Sequence, residues 1–243
     1  MQFFEPSKLT ATLSYFGFSM RQLQKLRSST LPYYSASASL MSSNTSMTIL
    51  PKHYSPERYR GLSCLAVGAG AGGSINMLAR VTIVDYWGNV MLESFVRPTE
   101  PVVDYRTAQH RITEKELSGP QALPFDVVQA KVTNLISGYI VVGHSLWNDL
   151  SVLGISHLAI NTRDTALYLP FRDTLNMQTA PGLPRLVLIL MERHIQCSSP
   201  DSAENARACM DLFRCVEYDW EHSIFNENWP CALPPTAYAR YFH

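Results

Sequence analysis

The sequence predicts an α/β domain around a mixed five-stranded sheet, three strands forming an antiparallel meander and the others running parallel. Three observations lead there. Strand-like runs joined by short turns fill the stretch from Gly61 to Val96, helix-like and strand-like runs alternate from Phe125 to Thr165, and two helical stretches with apolar faces close the pattern before Trp220.

Taken in order, residues 61–67 have strand composition, 68–73 make a glycine-rich turn, and 77–86 make a second strand. Trp87-Gly88-Asn89 turns the chain into a third strand over 90–96. Residues 125–137 place Phe125, Val128, Val132, Leu135 and Ile136 at helical spacing, and a short strand over 139–142 follows. A short helix is expected at 148–154 and a last strand at 161–165. Residues 183–194 form a strongly apolar helix, and 201–220 a long one with Ala206, Met210, Phe213 and Val216 along one face. Strands reached through helical crossovers should run parallel to the first.

With 243 residues, 46% of them hydrophobic, the chain suffices for one well-buried domain plus extensions. Apolar runs are short, 186–191 being typical, so no membrane span is expected. The cysteines (Cys64, Cys197, Cys209, Cys215, Cys231) are odd in number and form no Cys-x-x-Cys pair. That pattern points to a reducing compartment with buried thiols rather than to a disulfide framework or a zinc site. The net charge of zero divides into +5 over residues 1–60 and −5 over 61–243. Proteins that grip nucleic acid through phosphates usually carry a basic face, so the balance of the domain argues against tight binding.

Three segments are expected: a Ser/Thr-rich leader over 1–56, the domain over 57–220, and a C-terminal arm over 221–243. The first 50 residues hold sixteen Ser/Thr, four Lys/Arg and a single acid, Glu5. Such a composition reads as disorder, the alternative being a mitochondrial-type presequence. The arm is rich in proline and aromatics (Trp229, Tyr238, Tyr241, Phe242) without a regular period, and is expected to pack on the domain.

Gly68, Gly70 and Gly73 satisfy the spacing G-x-G-x-x-G after a predicted strand. A dinucleotide site would need a crossover helix opening at those glycines. Only residues 74–80 separate Gly73 from the next strand, too few for a helix and its turn, and a hairpin follows. The glycines are read as a connection between antiparallel strands, and no nicotinamide cofactor is expected.

Several blocks carry chemistry-bearing residues in a fixed order. They are Asp104-Tyr105-Arg106-Thr107, Gly143-His144 followed by Asn148-Asp149-Leu150, Arg163-Asp164-Thr165 with Pro170-Phe171-Arg172, and Glu204-Asn205-Ala206-Arg207-Ala208 beside Met210-Asp211-Leu212. With residues 62–68 and 78–84, these blocks resemble the 3′–5′ exonuclease domain of the RNA exonuclease 4 type. That is a branch of the DEDDh group with a ribonuclease H-like fold, and the resemblance covers roughly residues 58–216.

The resemblance implies a metal-dependent site. Its members carry D-x-E on the first strand, where alternate residues share a face. A third acid follows the glycine-histidine turn, a fourth sits on the last helix, and a histidine five residues before that fourth acid is the general base. Two divalent ions about 4 Å apart activate water and stabilise the leaving oxygen. Carried over by position, this chain has Ser63 and Leu65 in place of D-x-E, Pro200 in place of the histidine and Asn205 in place of the last aspartate. Asp149 alone survives, as the one candidate catalytic acid and a weak metal ligand at best. Leucine offers no oxygen, serine and asparagine are neutral, and a missing general base alone costs on the order of 10²–10⁴-fold in rate. No bound cofactor is expected, with Mg²⁺ or Mn²⁺ required if any activity remains.

Asp201, Glu204 and His194 are the neighbours that could compensate. Asp201 lies one helical turn before Asn205, Glu204 is adjacent to it, and His194 belongs to the preceding helix. Candidate nucleic-acid contacts are Tyr105 and Trp147 by stacking on bases, Arg106 and Arg163 on phosphates, and His144 and Asn148 at the turn. Packing roles compete for both aromatics, a hydrogen-bonded turn role competes for His144, and a helix-start role competes for Asp149. Arg80 and Arg207 are expected in buried ion pairs.

Three functions compete. One is a degenerate exonuclease-like domain that binds single-stranded RNA or DNA weakly, or a protein partner, without hydrolysis. The second is an active 3′–5′ RNA exonuclease using a rearranged site, and the third is a scaffold with no nucleic-acid role. The resemblance implies a nuclear or cytoplasmic protein engaged in RNA processing, and the leader composition keeps a mitochondrial location open.

Overall fold

The computed structural model describes residues 54–243, so the expected leader lies outside the described residues apart from its last three positions. A single-turn 3₁₀ segment, Pro56–Arg58, leads into β1 (Tyr59–Ala69), which is followed by β2 (Ile75–Val84) and β3 (Val90–Val96). The meander is antiparallel: Ser63 pairs with Thr82 across β1 and β2, and Thr82 with Glu93 across β2 and β3. A bulge at Leu65/Ala66 shifts the β1–β2 register.

The glycines do serve the connection. Ala71–Gly73 is a 3₁₀ turn that enters β2 directly. Gly68 is required by proximity, since a Cβ there would lie 2.5 Å from the Gly73 carbonyl oxygen. Gly70 is required by its left-handed backbone, φ +69°.

Beyond the meander lie β4 (Val102–Asp104), α1 (Thr107–His110), α2 (Glu114–Ser118), β5 (Ala122–Leu123) and α3 (Phe125–Ile136). Next come β6 (Ile140–Gly143), α4 (Leu146–Leu153), β7 (Thr162–Asp164), α5 (Leu169–Thr174), α6 (Leu183–Met191) and α7 (Ser202–Phe225). The sheet order is β5-β3-β2-β1-β6-β7, with β4 paired to the far end of β1. Its later strands β6 and β7 run parallel to β1, as the crossover argument requires.

The sheet therefore has seven strands, and the five expected from sequence are two too few. The missed ones, β4 and β5, have three and two residues, too short to show a period of two. They exist because neighbours supply their partners: Asp104 pairs with Gly68, and Ala122 with Phe95.

Each helix buries the face its spacing dictates. Val128, Val132 and Ile136 of α3 repeat every four residues and meet Leu78, Val81 and Ile83 beneath the sheet. On the other side, α6 and α7 enclose Tyr59, Phe171, Phe213 and Trp220, with Tyr168 stacked on Trp220 at 4.0 Å between ring centroids. The long helix α7 runs to Phe225, past the expected end at Trp220, because Trp220 and Glu221 are themselves buried against the domain. It starts at Asp201, whose carboxylate accepts from the amides of Ala203 and Glu204.

Candidate functional site

The centre of β1 is where the resemblance places the chemistry. Strand β6 pairs with β1 only over Tyr59–Gly61 and β4 only at Gly68 and Ala69, which leaves the middle of β1 between these two pairings without a strand partner. Asp149 fills the gap: from the first turn of α4, its Oδ1 accepts from the Cys64 amide at 3.2 Å. Ser63 and Leu65 flank Cys64 and, by strand alternation, share the face of Gly61. On that face lies α7, since a Cβ on Gly61 would lie 3.1 Å from the Ala206 carbonyl oxygen. Asn205 precedes Ala206 on that helix, and its Oδ1 accepts from Gln196 Nε2 at 2.9 Å. The structure thus brings Ser63, Leu65 and Asp149 to one stretch of β1, with Asn205 on the helix that covers it. Pro200 stands in the loop immediately before the Asp201 cap.

These positions are nearly closed to solvent: Ser63 and Leu65 are each 8% exposed, Asp149 7% and Asn205 9%. Burial drives the Asp149 carboxyl well above the usual carboxylate range, with the nearby Asp164 adding to the rise and the Cys64 amide opposing it. The surviving acid is itself biased toward its neutral form.

Of the side chains weighed as substitutes, His194 is exposed in the loop after α6, and the two acids are already committed. Asp201 caps α7 through Oδ1 and pairs with Arg80 through Oδ2 at 2.7 Å. Arg80 also pairs with Glu93, so the expected ion pair is present, but it lies partly exposed rather than buried. Glu204 accepts from the Gln196 amide at 2.8 Å. Among the described residues, no three His, Cys, Asp or Glu side chains gather where an ion could sit. A leucine, two neutral polar side chains and one protonation-prone acid do not fit a pair of divalent cations.

The expected nucleic-acid contacts divide. Asn148 is exposed, and Tyr105, Arg106, His144 and Trp147 are half-buried. Tyr105 packs on the cluster containing Leu65 and Val67, and Trp147 packs on the α6–α7 core. Arg106 bonds Asn76 Oδ1 at 2.7 Å through one guanidinium nitrogen. His144 Nδ1 meets Thr165 Oγ1 at 2.9 Å, and burial lowers its pKa to about 4, so the ring is neutral.

Arg163 is corrected: it is 1% exposed and holds Glu221 in a two-pronged pair at 2.7 and 2.8 Å, so no phosphate reaches it. Arg207 is likewise corrected: among the described residues it pairs with no acid, and it donates to the Gly88 carbonyl at 2.9 Å.

Sequence reasoning missed the residue that places Asp149. The Asp164 carboxylate accepts from the amides of Ser145, Leu146 and Ala166 at 2.7–2.9 Å. It thereby caps α4, whose N-cap Ser145 is held in the left-handed region at φ 58°. Burial pushes its pKa up to about 6 against those three donors. No residue pattern announced it, since the strand it ends, Thr162-Arg163-Asp164, is polar and its partners are backbone amides.

The fold is the ribonuclease H-like fold of exonuclease domains, and by similarity to known proteins the described residues form a DEDDh-type exonuclease domain. Over 172 residues the chain is 40% identical to an RNA exonuclease 4 from Cryptococcus neoformans, covering 71% of this chain and 41% of that protein. It is 36% identical over 181 residues to the human apoptosis-enhancing nuclease, covering 72% and 55% respectively. Among solved structures it is similar to the Saccharomyces cerevisiae Pan2 pseudoubiquitin hydrolase–RNA exonuclease module in complex with AAGGAA RNA. That match has a TM-score of 0.60 and 25% identity, covering 71% of this chain and 31% of that one. The chain spans 39% to 62% of the length of these and similar curated relatives. No family model matches it.

Proposed function

We propose that this domain is a pseudoenzyme, an exonuclease fold that binds single-stranded RNA weakly without hydrolysing it. The observation that carries the reading is the charge of the pocket, where Asp149, the one carboxyl group among the five positions, is buried and biased toward neutrality. Two doubly charged ions demand several anionic oxygens in exchange for their water. Leu65 offers none, and the Asn205 carbonyl is already taken by Gln196. Hydrolysis through paired metals therefore has no seat.

Retained binding is supported by Trp147 and Asn148 on the first turn of α4 beside the Gly143 turn, where Asn148 is exposed and Trp147 half-buried. The related Pan2 module was solved with RNA. The −5 charge of residues 61–243 keeps such binding weak and salt-sensitive. A nuclear or cytoplasmic role beside RNA-processing nucleases accords with the relatives' names. No helix among the described residues is long and apolar enough to cross a membrane.

The test is gel retardation of a 5′-labelled single-stranded RNA across a salt series, with digestion followed in parallel. Retardation that fades with salt, over intact RNA, supports the reading. Absence of retardation at low salt favours a protein-binding scaffold instead.

A further inference from the structure

The substitutions that strip the centre of β1 of charge also change what it can hold. Ser63 pairs with Thr82 across β1 and β2, so both side chains stand on one face of the sheet. The Thr82 hydroxyl meets that of Ser202 at 2.7 Å, and Asn205 follows Ser202 by three residues, on the same face of α7. On one side of Ser63, Gly61 faces the Ala206 carbonyl. On the other, Leu65 pairs with Arg80, which holds Asp201 at the start of the helix. The first turns of α7 therefore lie along β1 from Leu65 to Gly61, and Ser63 and Asn205 fall between those two contacts.

Both residues carry an unused donor. They are 8% and 9% exposed, yet among the described residues the Ser63 hydroxyl and the Asn205 Nδ2 group have no hydrogen-bond partner. Neither atom is sealed from solvent as the unpaired Trp220 Nε1 is, so a ligand oxygen can approach. Gln196 takes the Asn205 carbonyl at 2.9 Å, which fixes the amide and leaves Nδ2 as its free end. The neighbouring groups are engaged elsewhere. Thr82 and Ser202 bond each other, and Asp149 Oδ1 accepts from the Cys64 amide. Asp201 holds Arg80 and its own helix, and Glu204 accepts from the Gln196 amide.

The chemistry of the two free groups selects the ligand. Both are N–H or O–H donors, and donors bind an anionic oxygen more strongly than a neutral one. Carboxylates at these positions would repel a phosphate unless cations stood between, whereas neutral donors can meet it directly. We infer that Ser63 Oγ and Asn205 Nδ2 form a metal-independent seat for a phosphodiester group of single-stranded RNA. The seat rests on the RNA-binding reading for its ligand and adds where one phosphate is held.

Dimethyl phosphate, a phosphodiester without base or sugar, is the first probe. It is titrated in EDTA, at constant ionic strength, into the isotope-labelled full chain. Nuclear magnetic resonance, with the side-chain amides assigned, should show the Asn205 amide shifting saturably. The second probe is a short single-stranded RNA, followed by fluorescence anisotropy at low salt. It should bind equally in EDTA and in Mg²⁺. Ser63→Ala removes one donor, and Asn205→Asp replaces the other by an oxygen while keeping the Gln196 bond. Each should bind RNA about tenfold more weakly, with circular dichroism like that of the parent. An Asn205 amide that ignores dimethyl phosphate overturns the proposal, and so does RNA binding that EDTA abolishes; neither result needs a variant. Equal RNA binding by the parent and both folded variants removes the seat and leaves the RNA reading standing. Absent RNA binding, with the amide still shifted by dimethyl phosphate, removes the RNA reading and leaves the phosphate seat.

Discussion

Replacing Arg163 by methionine should unfold the protein earlier and leave its RNA affinity untouched. Arg163 is 1% and Glu221 3% exposed in their side chains, and two guanidinium nitrogens meet the two carboxylate oxygens. The remaining donor, Nη1, bonds the Ile160 and Thr162 carbonyls at 2.8 and 3.0 Å. Removing the arginine strands Glu221 in the interior, a loss of about 3–5 kcal/mol for a buried pair broken on one side. For a domain of this size about 1 kcal/mol moves Tm by roughly 2–4 °C, so the fall should be about 6–20 °C. The double variant Arg163→Met/Glu221→Met should regain most of it, because an apolar pair of similar volume is often neutral. Thermal and urea melts of the two variants measure the stability, and RNA retardation below the transition measures binding. A single variant that melts like the parent yet binds RNA several-fold more weakly would refute the structural assignment and restore Arg163 as a phosphate contact.

Asp149→Asn keeps an oxygen for the Cys64 amide and removes the titration. The Asp149 pKa is raised in the folded state, so its stabilising contribution is complete below about pH 4 and is lost as pH rises through the folded pKa. The variant's Tm advantage should be smallest near pH 4 and grow toward pH 8, and a flat or shrinking difference contradicts the burial argument. Asp201→Ala removes the cap of α7 and a partner of Arg80, and denaturant melts should show about 1–2 kcal/mol lost. In Mn²⁺ calorimetry the parent should give no saturable heat. The combination Ser63→Asp/Leu65→Glu/Pro200→His/Asn205→Asp should bind, and silence in that folded variant would show that more than the side chains has changed.

The meander and α3 were legible because their residues alternate or repeat over seven or more positions, and β6 and β7 because helical crossovers dictate their direction. Strands β4 and β5 were not, since pairing with Gly68 and Phe95, rather than any local pattern, makes them extended. At the site, the strand and helix patterns that carry the motifs are present, with Ser63 and Leu65 on β1, Asp149 on α4 and Asn205 on α7. Arg163 misled because an arginine bound to phosphate and one sealed against Glu221 are the same letter, and the partner lies 58 residues away. Asp164 was overlooked for a related reason. Its work is done through amides of the Gly143 turn, and backbone donors leave no residue signature.

Whether the pocket can seat paired cations is tested most directly by incubating the purified full chain with 5′-labelled single-stranded RNA in Mg²⁺ and in Mn²⁺, beside Asp149→Asn. The RNA should stay full-length in every lane. A ladder of 3′-shortened products made by the parent and absent with Asp149→Asn would contradict the account.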